Sequence, residues 1–147
     1  MTRYVLDTNI LSNVTKAVPS LPVTRWIDDH AQSMLFVTTL SLAEIERGIL
    51  ERSAGRKRSA LEAWFRGLNG PKAMFAGRVL PFDERAAAEW ARIMAEGTAI
   101  GRQRNAVDMI IAATAAANAC TVVTLNERDF EGAIPVINPL TAARPSR

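Results

Sequence analysis

Four short stretches of the chain set a carboxylate beside small polar residues. In LDTN (6–9) the acid is Asp7; SLAE (41–44) ends on Glu44, NAVD (105–108) on Asp108 and NERD (126–129) on Asp129. The last three share one spacing: Ser or Asn, two residues, then the acid. Two kinds of chemistry fit that spacing. In a capping box the first side chain accepts an orphan amide of a new helix, and an acid in the first turn complements the helix dipole by roughly 0.3–1 kcal/mol. Alternatively, carboxylates gathered on one edge of a fold repel one another unless they share a hard divalent cation, whose ligands are oxygens. A single Cys and a single His leave no soft-ligand set for zinc. Asp108 sharpens the choice. The stretch after it, MIIAATAAANA, carries no charge, so the helix it opens is expected to be buried on most sides. A carboxylate there is costly without a cation or donors to satisfy it.

The elements that must position these acids alternate in type. RYVL (3–6), MLFVT (34–38), RVL (78–80, closed by Pro81), TVVTL (121–125) and PVINP (135–139) read as strands. Helices are expected over 22–31 with Pro22 in its first turn, 41–52, 58–68, 83–97 with Asp83 as cap and Gly97 as stop, and 105–119. Such alternation builds βαβ units and a mostly parallel sheet, whose ligands sit beyond the carboxyl ends of the strands. Asp7 and Glu44 then stand at strand ends, Asp108 opens the helix before the fourth strand, and Asn126 caps a helix after it. One feature opposes Glu44: by helical periodicity it points away from the Leu42, Ile45 and Ile49 face, toward solvent.

With 147 residues, 48% hydrophobic and 22% charged, the chain has the size and composition of one globular domain and not of a disordered protein. We divide it into a domain over 1–140 and a basic tail over 141–147. The lone Cys120 excludes an intramolecular disulfide, suits a reducing compartment, and reads as a small buried residue. Asp7 interrupts any N-terminal leader, and Asp108 and Asn118 interrupt the longest apolar run. A cytoplasmic protein with no membrane span is therefore expected. The net charge of +3, with basic clusters at 51–58 and 101–104 and at Arg144 and Arg147, hints at an anionic partner; each cluster also reads as a solvated loop or tail.

Taken together, VLDTNIL (5–11), SLAEIERGI (41–49), LPFDERAA (80–87), VDMIIAATA (107–115) and VVTLNERDF (122–130) resemble the PIN-domain ribonucleases, and most closely the VapC-type toxins of bacterial toxin–antitoxin pairs. The resemblance spans essentially the whole chain, with the motifs in order. It implies a three-layer α/β sandwich whose central parallel sheet, in the order 3-2-1-4-5, is flanked by helices. It implies a Mg²⁺- or Mn²⁺-dependent endoribonuclease, homodimeric, that cuts RNA and is neutralised by a cognate antitoxin. Asp7, Glu44 and Asp108 match the family's first three acids, and would hold the metal. Where the family often has its fourth acid directly after a T-x pair, this chain has Asn126. Asp129, three residues on, matches members written T-x-N-x-x-D-F and would complete the catalytic set. Thr8 and Thr124 match small hydroxyl positions near the site, and with Asn126 they would line the cofactor pocket.

Other readings compete. A catalytically inactive PIN-like module that binds RNA or protein is kept open by Asn126. A haloacid-dehalogenase-like phosphatase would need a second Asp where Asn9 stands. Arg102 and Arg104 would steer the RNA backbone or serve only as loop residues. His30 reads as a solvated helix-end residue, and Trp26, Trp64 and Trp90 as packing. Leu61, Trp64, Phe65 and Leu68 supply apolar faces for the core, or one side of a groove for an antitoxin helix.

Overall fold

The computed structural model describes residues 1–14, 16 and 18–142. Five strands, Arg3–Leu6 (β1), Leu35–Thr38 (β2), Val79–Leu80 (β3), Cys120–Val123 (β4) and Val136–Ile137 (β5), pair in parallel in the order β3-β2-β1-β4-β5. This is the order that the family resemblance implies. β1 lies at the centre, paired with β2 on one side and β4 on the other. The chain winds away from it in both directions, so a crevice opens beyond its carboxyl end, where Asp7 follows Leu6.

Alternation along each strand feeds two cores. Leu6 joins Ile10, Val23, Trp26, Leu35, Val37, Leu42, Ile45, Ile49 and Phe65 on one face, whereas Val5 joins Ile93, Met109, Ile111, Val122 and Phe130 on the other. The first face is covered by helices Thr8–Asn13 (α1), Leu21–Asp28 (α2), Thr39–Leu50 (α3), Arg56–Arg66 (α4) and Pro71–Met74 (α5). The second is covered by Glu84–Ala99 (α6) and Ala106–Ala117 (α7). Met109, Ile111, Ala112, Ala113, Thr114 and Ala115 of α7 are buried, as its uncharged composition requires.

Several boundaries differ from the sequence reading, each for a physical reason. α3 does not start at Ser41. Thr38 ends β2 in extended conformation, and its Oγ1 accepts from Ser41 N at 3.0 Å, so the cap lies three residues earlier and Glu44 sits in the second turn. Gly97 does not stop α6. The helix runs to Ala99 and closes with Arg102 N on Gly97 O and Gly101 N on Thr98 O, Gly101 taking the left-handed φ of 71°. Gly97 is instead a place of close approach: a Cβ there would lie 2.8 Å from Arg102 O and 3.0 Å from Arg104 Cδ. β4 ends at Val123, which leaves Thr124 and Leu125 beyond the strand. The short helices α1 and α5 carry too few residues for a periodic signal. Of the tail, residues 143–147, with Arg144 and Arg147, lie outside the described residues. Among the described residues no helix is long and apolar enough to cross a membrane.

Candidate functional site

The site grows from Asp7, which is 6% exposed. It caps α1: Oδ1 accepts from Thr8 N at 2.7 Å, and Oδ2 accepts from the Thr124 hydroxyl at 2.9 Å. Burial pushes its pKa up. The Thr124 and Thr8 bonds oppose that rise, and the charges of Glu44 and Asp129 add to it.

Glu44 is half-buried, not solvated as helical periodicity implied. α1 packs beside α3, and the Thr8 hydroxyl donates to Glu44 Oε1 at 3.0 Å. A neighbouring helix has turned the polar flank of α3 into one wall of the site. Asp108 stands in the first turn of α7, where Asn105 caps the helix as expected, its Oδ1 accepting from Val107 N and Asp108 N at 3.0 Å each. The Asp108 pKa is pushed up to about 6, first by burial and then by Asp129, Asp7 and Glu44.

Asp129 is exposed, in the 3-10 turn Glu127–Phe130 that the buried Phe130 anchors. Asn126 does not cap this turn with its side chain. Its backbone lies outside the extended region (φ −126°, ψ 71°), and its amide nitrogen donates to Asp129 Oδ2 instead. Asn126 therefore holds an acid, where the sequence suggested that it would accept an amide. All four acids, from four separate segments, are thus close enough for Asp129, Asp7 and Glu44 to act on Asp108. Among the described residues no three His, Cys, Asp or Glu side chains converge as a ready-made metal-binding group.

The structure also brings in a residue that sequence reasoning left out. Asn9 Nδ2 donates to Thr124 Oγ1 at 3.2 Å, while its Oδ1 accepts from Leu125 N at 3.2 Å. Its only signal was its place in the DTN motif. Conversely, Arg102 and Arg104 do not stand free over the site. Arg102 donates to Glu131 at 3.0 Å and to Arg128 O at 3.4 Å. Arg104, with its side chain 6% exposed, donates to Ile93 O at 2.6 Å and Gly132 O at 3.3 Å. Arg102 ties the loop after α6 to Arg128 and Glu131, and Arg104 ties α6 to Gly132. His30 is half-buried. It stacks on Trp26 at 3.8 Å, meets Tyr4 edge-on at 5.1 Å, and its Nδ1 lies 2.6 Å from Trp26 O.

Beside the acids a groove of about 220 Å³ runs between α1, α3 and α4, lined by Thr8, Glu44, Ile49, Arg52, Leu61 and Trp64 among others. Phe65, by contrast, is core, and Leu68 is almost fully exposed.

Comparison with known proteins places this geometry. The PIN domain model matches residues 4–133. The chain is similar to the VapC ribonuclease Y4jK of Sinorhizobium fredii, with 37% identity over 136 residues that cover 92% of this chain and 96% of the relative. It is likewise similar to Toxin FitB of Neisseria gonorrhoeae, with 33% identity and the same two coverages. The crystal structure of FitAcB from Neisseria gonorrhoeae superposes with a TM-score of 0.88 at 31% identity, over 95% of this chain and 99% of that one. With the 3-2-1-4-5 sheet and Asp7 at the end of its central strand, the chain belongs to the PIN-domain family, among its VapC- and FitB-type toxins.

Proposed function

We propose that this chain is a divalent-metal-dependent endoribonuclease toxin that a cognate antitoxin neutralises. One observation carries the reading: Asp7, Glu44, Asp108 and Asp129 come to one site from four segments, three of them held there by bonds from Thr8, Thr124 and Asn126, and their charges add to burial in raising the pKa of Asp108. Such mutual repulsion is unfavourable in an apo site and is relieved by a shared cation. The donor set is all oxygen, which fits Mg²⁺ or Mn²⁺ and not a soft-ligand metal. The spread of the acids among the described residues is compatible with Mg²⁺, which keeps several waters and uses few direct carboxylates.

Asp7, Asp108 and Glu44 would hold the ion, directly or through water, with Asp129 as the fourth acid. When bound, the ion would supply Lewis-acid polarisation of the phosphoryl group and a lowered pKa for an attacking water. Everything else falls to the protein. Thr8 and Thr124 fix the Glu44 and Asp7 carboxylates in place by donating to them. Asn126 fixes Asp129 in the same way.

RNA in the cytoplasm is the substrate of this reading, and the antitoxin its protein partner. The groove of about 220 Å³ beside Thr8 and Glu44 suits an antitoxin segment, because Leu61 and Trp64 offer apolar contact next to the acids. A homodimer is part of the same proposal.

Single-stranded RNA incubated with the purified chain should be cut with Mg²⁺ or Mn²⁺, spared with EDTA, and spared by Asp7→Ala. If Asp7→Ala or Asp108→Ala still cleaves in a metal-dependent way, the assignment is wrong. RNA binding without cleavage by the intact chain would favour the inactive-module alternative.

A further inference from the structure

We propose that Asn9 is a positioning residue, which aims the Thr124 hydroxyl at Asp7 and braces the turn leading to Asp129. The catalytic consequence rests on the ribonuclease reading; the positioning itself does not.

β4 ends at Val123, and two further amides, those of Leu125 and Asn126, follow the Thr124 amide, which still donates to Ile137 O. Both are met by side chains. Asn9 Oδ1 accepts from Leu125 N at 3.2 Å, and Thr124 Oγ1 accepts from Asn126 N at 3.0 Å. Asn9 Nδ2 then donates to the same Thr124 oxygen at 3.2 Å. A threonine hydroxyl has two acceptor lone pairs and one proton. With Asn9 and Asn126 occupying both lone pairs, the proton is left for Asp7 Oδ2, 2.9 Å away. Thr124 is fully buried, so no bulk water competes for that hydroxyl.

Asn9 thus determines which way a buried donor points, although its own bonds go to Thr124 and Leu125 and not to an acid. The line continues past Thr124, since the Asn126 side-chain amide donates to Asp129. One residue of α1 therefore links the first acid to the fourth. The helix cap does not require Asn at this position, because Asp7 supplies it. An amide side chain suits the position because it offers a donor and an acceptor side by side, and a shorter hydroxyl cannot span Thr124 and Leu125 together.

The test uses Asn9→Ala, Asn9→Ser, Thr124→Val and the double variant Asn9→Ala/Thr124→Val. In the metal-free chain, amide exchange followed by NMR should speed up at Leu125 in Asn9→Ala and Asn9→Ser, with the central amides of β1 unchanged. Thr124→Val should release Asn126 and spare Leu125. Mn²⁺ affinity by calorimetry and kcat on a short single-stranded RNA should each fall by about tenfold or more in Asn9→Ala, with KM nearly unchanged, as for other residues that orient ligands. The double variant should lose no more kcat than the worse single one, since both act through the same bond to Asp7. Should Asn9→Ala fail to fold, Asn9→Ser carries the same expectations. Unchanged exchange at Leu125 in the Asn9 variants overturns the proposal. So do unchanged kcat and Mn²⁺ affinity, or losses that multiply in the double variant. If the wild-type chain neither binds Mn²⁺ nor cuts RNA, the ribonuclease reading fails, and the exchange measurements alone then decide the positioning role.

Discussion

Thr8 and Glu44 meet across the gap between α1 and α3, the hydroxyl donating to Oε1 at 3.0 Å. The backbone amide of the same threonine donates to Asp7 at 2.7 Å, so one residue orients two acids. Thr8→Val keeps the shape and the amide but removes the hydroxyl. It should cost about 0.5–1.5 kcal/mol of stability, the worth of one net hydrogen bond. It should also weaken Mn²⁺ binding by about tenfold through the loosened Glu44. Urea unfolding and metal calorimetry on the one variant read both effects; a normal metal affinity would remove Glu44 from the ligand set.

The raised pKa of Asp108 makes a signed prediction. The group binds its proton more tightly when folded (about 6) than at the ordinary value of 3.8. The metal-free fold therefore loses stability as pH rises through that window, and the unfavourable charge is fully present above it. Asp7 shifts in the same direction. Asp108→Asn should accordingly raise the melting temperature of the metal-free chain at pH 7.5, with the advantage shrinking by pH 4.5. Metal should show the opposite trend in the wild type, its affinity falling about tenfold per pH unit once Asp108 protonates. A melting-temperature gap between variant and wild type that does not change with pH would show that Asp108 does not titrate there.

Gly97 lies under Arg104, and a Cβ would meet Arg102 O at 2.8 Å and Arg104 Cδ at 3.0 Å. Gly97→Ala gains helix propensity of about 1 kcal/mol, yet backbone cannot yield as a flexible side chain can. A net destabilisation of about 1–3 kcal/mol is expected. Displacing Arg104 also frees Gly132 O and loosens the segment after Asp129. Chemical unfolding paired with a cleavage assay should therefore show two losses, and an Ala variant more stable than wild type would refute the close-approach role.

His30 offers a control. Its stack on Trp26 and edge contact with Tyr4 belong to packing on the face of the sheet away from α7. His30→Ala should cost about 1–2 kcal/mol, the aromatic contact plus lost burial, while kcat stays at the wild-type value. A large fall in kcat with unchanged stability would restore the histidine as a catalytic candidate.

What the sequence determined by itself is what depends on near neighbours in the chain. Short apolar runs alternating with helical stretches carry the parallel sheet, and the DTN, SLAE and VDM motifs carry three of the acids. Asp83 and Asn105 cap their helices through bonds to amides two or three residues on, so local spacing is enough to find them. Tertiary structure decided the rest, because the deciding partner lies far away. Glu44 leaves solvent only because α1 packs against its flank, and no periodicity within α3 contains that fact. Asn126 turns from a cap into a donor because Thr124 takes its backbone amide and Asp129 its side chain. Asn9 matters only once the chain returns over a hundred residues later to place Thr124 and Leu125 beside it. Arg102 and Arg104 became struts when carbonyls of α6 and of the 128–132 segment came within reach. Hydrogen-bond donors and acceptors are recognisable in a sequence; which of them meet is set by the packing of elements that local spacing cannot encode.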